Sequence, residues 1–331
     1  MNNVIAENIS KSFKKAGSSG NTPIDKIKKA RAHKKGLKAA ADEIKALDRV
    51  SFQVNSGELF GFIGPDGAGK TSLFRILVSL LVPDSGNAKV CGFDVVKDYK
   101  KIRNIAGYMP GKFSLYQDLT VEENLSFFAT IFNTTIQKNY HLVKDIYSQI
   151  EPFKDRRAGA LSGGMKQKLA LSCAMIHKPE ILFLDEPTTG VDAVSRMEFW
   201  EMLHNLKKAG ITIIVSTPYM DEASLCDRVA LIQAGKILNI GSPAEIITSF
   251  GKTVFAIRAG NAYALINDLE KSPLCESVYP CGQYLHYIPK NKATTLAELT
   301  VTIREKHPDA EIITIIPGIE DCFINLMKEA R

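Results

Sequence analysis

The residues with the most specific chemistry form the segment Gly64-Pro-Asp-Gly-Ala-Gly-Lys-Thr71, which matches the pattern G-x-x-x-x-G-K-(S/T). An apolar run typical of a buried strand precedes it, and a helical pattern over residues 70–81 follows it. Glycines let several backbone N–H groups face one anion, and the start of a helix adds the positive end of its dipole. We therefore expect Lys70 to contact the β- and γ-phosphates of a nucleotide, and the Thr71 hydroxyl to bind Mg²⁺.

Two adjacent carboxylates, Asp185 and Glu186, follow the apolar run Ile181-Leu-Phe-Leu184. In open α/β sheets the carboxyl ends of the strands face the ligand crevice, so both side chains are expected there. We expect Asp185 to hold the Mg²⁺ ion, directly or through water, and Glu186 to polarise an attacking water as general base. The alternative for these residues alone is a buried strand that ends in a charged turn.

A third segment, Leu161-Ser162-Gly163-Gly164-Met165, predicts a helix that begins after Ser162 as its N-cap. The two glycines would expose the first backbone N–H groups of that helix to an anion. Because the loop at 64–71 already surrounds the phosphates of one nucleotide, we expect this second anion site to serve a nucleotide bound to another molecule. A capped loop without a ligand is the alternative for this segment alone.

The elements that position these segments follow from the apolar periodicity. From residue 162 onward, short aliphatic runs alternate with helical patterns, which predicts an α/β fold with a mainly parallel sheet. Thr120 and Glu123 form a capping-box pattern at the start of a mainly helical region. Near residue 250 the rhythm changes to that of a small α+β domain. Its predicted strands are 253–258, 284–288 and 311–316, and its predicted helices are 262–270, 294–306 and 318–330.

The composition is that of a folded protein without a membrane span. The chain has 331 residues, of which 45% are hydrophobic and 24% charged, enough for two domains. No run approaches the roughly 20 apolar residues of a membrane span, and the first residues lack the features of a secretory signal. The six cysteines are scattered without a C-x-x-C pair. This pattern favours reduced thiols in a cytosolic protein over a zinc site or a disulfide framework.

The net charge of +6 comes from one segment, residues 14–45, which holds ten Lys or Arg and three Asp or Glu. The segment therefore carries +7, which leaves 6 − 7 = −1 for the rest of the chain, so nucleic-acid binding is not expected. Apolar residues at 27, 30, 37, 41 and 44 predict a weak amphipathic helix, broken by Gly36. Two interpretations of this segment stay open: contact with an anionic membrane surface or an acidic partner, and a solvated surface helix.

The three motifs occur in a characteristic order, with 92 residues from Lys70 to Ser162 and 23 from Ser162 to Asp185. They resemble the Walker A, signature and Walker B motifs of ABC-type ATPases. The resemblance covers about residues 1–13 and 46–250. The signature string, the residues after Asp185 and the tail beyond 250 look most like ATP-binding subunits of bacterial exporters of the daunorubicin-resistance type.

The resemblance implies a P-loop NTPase fold of ABC type in residues 1–250, with a helical subdomain at about 112–165, followed by the accessory α+β domain at 251–331. It also implies a head-to-tail dimer that holds two ATP molecules, with Mg²⁺, between opposed phosphate loops and signatures. Val191 and Asp192 match the loop that crosses the dimer interface. In this family an aromatic side chain stacks on adenine, and Phe13 occupies that position; a strand-end core residue is the alternative. The implied ATP-binding residues are Phe13, Gly64, Pro65, Asp66, Gly67, Ala68, Gly69, Lys70, Thr71 and Ser72, and the signature residues Leu161, Ser162, Gly163, Gly164 and Met165 act on the opposite site.

Two positions depart from the family pattern. Gly111 stands where the family usually has a glutamine that reaches the Mg²⁺ and water region, and Gln117 is a poor substitute by register. Pro218 stands where the family usually has a histidine that contacts the γ-phosphate, and proline lacks both a side-chain donor and a backbone N–H. Both losses affect the site on this chain's own phosphate loop, so a heterodimer with a second ATP-binding subunit is expected. Replacement of the missing groups by Thr217, Tyr219 or water in a working homodimer is the alternative.

The resemblance implies an ATP-binding and ATP-hydrolysing subunit of an exporter that drives separate integral membrane permease subunits. Its expected location is the cytoplasm, peripheral on the inner face of the plasma membrane. Two other classes remain at this stage: a soluble ABC ATPase without a transport role, and a regulatory partner that binds nucleotide but hydrolyses nothing.

Overall fold

The structure is a computed structural model, and it describes residues 2–14, 43–111 and 115–329. The chain divides into two compact units, Met1–Ile240 and Gly241–Arg331. The sequence placed the boundary after residue 250. The structure groups the helix Pro243–Phe250 with the second unit, in which the Cys322 thiol donates a weak hydrogen bond to the Ile246 carbonyl oxygen at 3.9 Å.

An antiparallel sheet of the first unit carries the edge on which Phe13 lies. Its strands are β1 (Asn2–Lys14), β2 (Glu43–Asn55), β4 (Ser85–Val90) and β5 (Phe93–Asp94), in the order β2-β1-β4-β5. Strand β1 pairs with β2 up to its end, where Phe13 faces Ile44 and Lys14 faces Glu43. The prediction of a helix that reaches Ile44 is therefore wrong at that residue, because Ile44 lies in β2 and pairs with Phe13 of β1. The rest of that helix and the proposed membrane contact fall on residues 15–42, outside the described residues.

A six-stranded sheet carries the residues expected to bind nucleotide. Its strands are β3 (Leu59–Ile63), β6 (Ala106–Met109), β7 (Ile181–Asp185), β8 (Thr212–Thr217), β9 (Arg228–Gln233) and β10 (Lys236–Gly241), in the order β10-β9-β3-β8-β7-β6. The neighbouring pairs β3–β8, β7–β8, β6–β7 and β3–β9 are parallel, as the alternating pattern predicts. Strands β3, β7 and β8 are buried along their whole length, which explains why they are uniformly apolar apart from a few small polar residues. Their carboxyl ends therefore meet at one edge.

The helices of the first unit are α1 (Lys70–Leu77), α2 (Tyr99–Ile105), α3 (Val121–Ile131), α4 (Ile136–Tyr147), α5 (Gly163–Met175) and α6 (Ala193–Lys208). Helix α1 packs on β3 through an edge-to-face contact between Phe74 and Phe62, with ring centroids 6.0 Å apart. Helix α3 begins with the predicted capping box of Thr120 and Glu123. Within the described ranges, no helix is long and apolar enough to cross a membrane.

The second unit has the strand and helix order β-α-β-β-α-β, flanked by one further helix at each end. Its elements are α7 (Pro243–Phe250), β11 (Val254–Arg258), α8 (Ala262–Lys271), β12 (Cys275–Cys281), β13 (Tyr284–Pro289), α9 (Leu296–Arg304), β14 (Glu311–Ile315) and α10 (Ile319–Glu329). All strand pairs are antiparallel in the order β12-β13-β11-β14, which is the ferredoxin-like arrangement. The sequence missed β12, because Pro280 and the small and polar residues around it weaken the strand pattern.

A buried carboxylate ties α10 to two strands of this second unit. Asp321, 2% exposed, accepts hydrogen bonds from the Tyr279 hydroxyl and from the His286 Nδ1–H, each at 2.6 Å. Its other oxygen accepts the backbone N–H of Gly318 at 2.6 Å, at the start of the helix. Burial and the neighbouring carboxylate raise the pKa of Tyr279 far above its ordinary value, so the phenol stays a donor.

We expect Tyr279→Phe to destabilise the second unit by about 1.5–3 kcal/mol, because it removes one donor to a buried charge. Hydrogen–deuterium exchange of β12, β13 and α10 in the full chain measures the local free energy of opening. Tyr263→Phe is the matched control, since Tyr263 is 80% exposed and its hydroxyl has no such buried partner. Equal protection in the two variants would contradict this role of Asp321.

Candidate functional site

The loop between β3 and α1 has the tight backbone that phosphate binding requires. A Cβ atom at Gly64 would lie 2.0 Å from the carbonyl oxygen of Ile232, so only glycine fits there. Gly69 has φ +105°, and a Cβ atom there would lie 2.3 Å from the carbonyl oxygen of Ala46. Close packing against two neighbouring segments therefore fixes the loop, and it leads directly into the N-terminus of α1.

The ammonium group of Lys70 joins the phosphate loop to the carboxyl end of β7. Its Nζ donates to the carbonyl oxygens of Gly64 at 2.7 Å and Pro65 at 3.1 Å, and it lies 3.2 Å from Glu186 Oε1. The lysine is 3% exposed, so these three oxygens neutralise and solvate a buried cation. The structure therefore brings together two residues that the sequence separates by more than a hundred positions.

Ser216, in strand β8, holds both carboxylate residues in place. Its Oγ donates to Asp185 Oδ1 at 2.5 Å, while the backbone N–H of Glu186 donates to the Ser216 carbonyl oxygen at 3.0 Å. Glu186 has φ +51°, an unfavourable conformation for a residue with a side chain, of the kind that accumulates at functional sites. Sequence reasoning missed Ser216, although a hydroxyl inside an otherwise aliphatic buried strand was the available signal.

Thr71 and Asp185 have the right chemistry for a Mg²⁺ ion. A hydroxyl and a carboxylate are hard oxygen ligands, and Mg²⁺ commonly takes only one or two protein ligands and completes its shell with water and phosphate oxygens. Asp185 is 3% exposed at the carboxyl end of β7, and Thr71 is half-buried in the first turn of α1. These residues fit the ion.

The signature segment packs against the loop that contains Val191 and Asp192. Ser162 caps α5 by accepting the Met165 N–H at 3.3 Å, as predicted. A Cβ atom at Gly164 would lie 2.6 Å from Ser195 Oγ, so the start of α5 touches the start of α6. Asp192 caps α6 by accepting the Ser195 N–H at 3.0 Å, and this hydrogen bond lowers the pKa of its carboxyl group. Ser162 and Asp192 are both exposed, and they therefore belong to one accessible surface.

Phe13 lies near the end of the paired strands β1 and β2 rather than in the core. Its ring is 41% exposed, and Lys11 Nζ lies 5.8 Å from the ring centroid. This exposure is not that of a core residue, so the alternative of a strand-end core residue is wrong, while stacking on adenine stays a prediction. Its neighbour across the strands, Ile44, is 55% exposed.

The two departures from the family pattern lie at the same edge of the sheet. A Cβ atom at Gly111 would lie 2.8 Å from the carbonyl oxygen of Asp185, so this loop approaches β7 more closely than a larger residue allows. Pro218 follows β8 directly. The hydroxyl oxygen of the buried Thr217 already accepts the Tyr219 N–H at 3.0 Å, and the Tyr219 ring lies 5.1 Å from the guanidinium carbon of Arg196.

A buried asparagine, which sequence reasoning also missed, holds the loop before α3. Asn124 is 0% exposed, and its Oδ1 accepts the Tyr116 N–H at 2.9 Å. Its Nδ2 donates to the carbonyl oxygens of Tyr116 at 3.0 Å, Leu119 at 3.3 Å and Thr120 at 2.9 Å. One side chain therefore fixes residues 116–120. An amide on the apolar face of α3 was the available signal.

Comparison with known proteins agrees with this geometry. Residues 47–189 match the family described as ABC transporter. The chain is 38% identical over 290 residues to the Escherichia coli K12 protein named "Probable multidrug ABC transporter ATP-binding protein YbhF". The aligned residues cover 86% of this chain and 50% of that protein. It is 34% identical over 295 residues to the Nod factor export ATP-binding protein I of Rhizobium sp. strain N33, and this alignment covers 88% of this chain and 95% of that protein.

Solved structures show the same fold. A dimeric ATP-binding cassette in a post-hydrolysis state, bound to ADP and Pi, matches 72% of this chain and 98% of its own, with a TM-score of 0.59 and 21% identity. The P-loop NTPase fold of ABC type, predicted from the motifs, is therefore confirmed. The first unit has the fold of an ATP-binding cassette.

The chain belongs to the family of ABC transporter ATP-binding proteins, whose members are ATPases. It spans about half the length of the YbhF protein that it matches, and nearly the whole length of the Nod factor export protein.

We expect Asn124→Ala to destabilise the loop at 116–120 by about 3 kcal/mol, because it leaves buried backbone groups without partners. The measurement is hydrogen–deuterium exchange of that loop together with the thermal unfolding of the full chain. Asn87→Ala is the control, because Asn87 is exposed and makes a single long contact of 3.4 Å to Glu7. Unchanged exchange at 116–120 would show that Asn124 does not hold the loop.

Proposed function

We propose that this chain is the ATP-binding and ATP-hydrolysing subunit of an ABC exporter, and that it drives permease subunits carried on other chains. The observation that carries the proposal is the ion pair between Lys70 and Glu186, 3.2 Å apart, which joins the phosphate loop to the candidate general base. The match over 95% of a protein named for Nod factor export supports a role in export. A subunit of this kind acts at the inner face of the plasma membrane, from the cytoplasm.

In this proposal each motif has one task. The exposed ring of Phe13 stacks on adenine, and the backbone N–H groups of residues 64–72 surround the phosphates. Lys70 exchanges its carbonyl partners for phosphate oxygens, while Thr71 and Asp185 hold Mg²⁺, whose charge offsets that of the phosphates. Glu186 accepts a proton from the water whose oxygen bonds to the γ-phosphorus as the bond to ADP breaks.

The signature segment serves a nucleotide on another subunit. In this segment Ser162 and Gly163 are exposed, as is Asp192 in the neighbouring loop, and the buried Gly164 brings the two segments together through its contact with Ser195. The N-terminus of α5, with Ser162 and Gly163 exposed, is suited to binding the γ-phosphate of a second ATP molecule across a head-to-tail dimer.

We further propose that the site on this chain's own phosphate loop hydrolyses ATP poorly, so that the working dimer contains a second, different ATP-binding subunit. Gly111 and Pro218 each lack the polar side chain that the family uses. Thr217 is a weak replacement, because it is buried and its hydroxyl oxygen already accepts the Tyr219 N–H. In a homodimer symmetry would place the defect in both sites, whereas a heterodimer leaves the partner's site intact.

The two other classes make different predictions. A soluble ABC ATPase without a transport role would copurify with no integral membrane protein. A regulatory partner would bind ATP without any contribution to turnover in the complex. The names of both relatives, a multidrug and an export protein, favour the transport class over these two.

We expect Lys70→Ala to weaken Mg-ATP binding about ten- to a hundredfold, because it removes a charge-assisted contact worth about 1.5–3 kcal/mol. Isothermal titration calorimetry on the full chain measures the affinity. Since the Lys70 side chain is buried, Lys70→Met serves as a second variant that keeps its volume, and Lys89→Ala is an exposed control. Unchanged ATP affinity in both Lys70 variants would rule out this loop as the nucleotide site.

We expect Glu186→Gln to cost the native complex little ATPase activity, because Glu186 belongs to the poorly active site. Gly164→Asp should abolish most activity, because it disrupts the signature that completes the partner's site. Since a side chain at 164 also collides with Ser195, Ser162→Ala provides a milder second variant. The loss of one preorganised catalytic contact typically costs about 10²–10³ in rate.

The decisive control is the steady-state ATPase rate of the purified chain alone. The heterodimer proposal predicts a rate far below that of the complex. A turnover of about 1 s⁻¹ or more, which is the low end for ordinary enzymes, would refute it if Glu186→Gln abolished that activity.

A further inference from the structure

A cavity of about 160 Å³ lies beside Glu186, next to Gly111. Its polar walls are formed by Gln117, from the loop before α3, and by Lys166 and Gln167, from the first turns of α5. A cavity of this size and polarity has room for several water molecules. Residues with amide and ammonium side chains therefore line the space beside the candidate general base, although Gly111 itself contributes no side chain.

Position 111 is not a place from which a side chain can enter this cavity in the observed backbone. A Cβ atom there would lie 2.8 Å from the carbonyl oxygen of Asp185, which belongs to a buried strand and cannot move freely. An amide that assists Glu186 must therefore come from another position.

Gln117 is such an amide, and it lies in the same loop as Gly111. Its backbone is fixed, since its carbonyl oxygen accepts the Gly159 N–H at 2.9 Å and the neighbouring Tyr116 is bonded twice to the buried Asn124. Its carboxamide makes one long contact, from Nε2 to the Leu115 carbonyl oxygen at 3.4 Å. Among the described residues, no donor forms a hydrogen bond to its amide oxygen, which lies 3.7 Å from where a Cβ atom of Gly159 would stand. The carboxamide can therefore still accept a hydrogen bond from water.

Gln117 suits this task better than the other polar walls. Lys70 already places one ammonium group beside Glu186, and pairing with a second, that of Lys166, would reduce the ability of the carboxylate to accept a proton further. An amide both accepts a hydrogen bond from a water molecule and donates one to it, which orients the water without competing for the base.

We propose that Gln117 is a water-positioning residue that replaces, from a different place in the loop, the glutamine absent at position 111. This inference rests on the proposed function of the site. It attributes poor hydrolysis to Pro218 alone. Gln117 compensates for the glutamine missing at position 111, whereas nothing compensates for the histidine missing at position 218.

The test first restores a histidine at position 218 and then removes the carboxamide of Gln117. Pro218→His in the full chain should raise steady-state ATP turnover of the purified protein about tenfold or more. Adding Gln117→Ala should cancel that gain through kcat, with the KM for ATP and the thermal midpoint unchanged. Gln149→Ala, an exposed glutamine elsewhere in the first unit, should leave the gain intact. Adding Gly111→Gln instead should bring no further gain, because its side chain collides with β7.

Three results would overturn the inference. The first is a Pro218→His chain whose turnover is unaffected by Gln117→Ala, or is reduced by Gln167→Ala instead. The second is a Pro218→His chain that stays inactive until Gly111→Gln is added, since position 111 would then be the decisive loss. The third is that both Pro218→His and the double variant Pro218→His with Gly111→Gln stay inactive.

The proposed function can fail independently of this inference. It fails if the unmodified chain binds no ATP, or if it alone turns over at the rate of an ordinary enzyme. In the latter case Gln117→Ala is tested directly in the unmodified chain, where a fall in kcat would still support the role of Gln117 and no change would refute it.

Discussion

The site depends on the neutralisation of one buried cation, the ammonium group of Lys70. Two backbone carbonyls of the phosphate loop and the Glu186 carboxylate surround it, so the loop, α1 and the end of β7 cannot be positioned independently. A buried charge without such partners would cost several kcal/mol. The same three contacts explain how the site can respond to ATP, because phosphate oxygens can replace carbonyl oxygens around the lysine and leave Glu186 for a water molecule.

Close backbone approaches supply the second constraint. Gly64 touches β9, Gly69 touches β2 and Gly111 touches β7, each at a distance that excludes a Cβ atom. These contacts hold the loops at the carboxyl edge of the sheet with little freedom to adjust. The departure from the family pattern at position 111 is therefore structural as well as chemical, and a compensating amide would come from Gln117, which lines the same cavity.

The second unit is held together by a packed sheet and helices and by one buried hydrogen-bonded carboxylate. Its four-stranded sheet has a helical layer on each face, and Asp321 joins α10 to β12 and β13 through three hydrogen bonds to one buried carboxylate. Within the described residues, we see no catalytic arrangement around it. Its ferredoxin-like topology is compatible with many functions and indicates none by itself.

The sequence alone determined the motifs, their order, the parallel sheet and the α+β character of the second unit, because spacing, glycine content and apolar periodicity are local properties. It also located the departures at Gly111 and Pro218. It could not show that Lys70 pairs with Glu186, that Ser216 holds Asp185, or that Asn124 fixes the loop of Gln117. It rejected Gln117 by counting residues along the chain, whereas in the structure Gln117 and Gly111 both line one cavity. Such relations were decided by tertiary structure alone, because they depend on which strand ends meet at one edge and on how a loop folds between them.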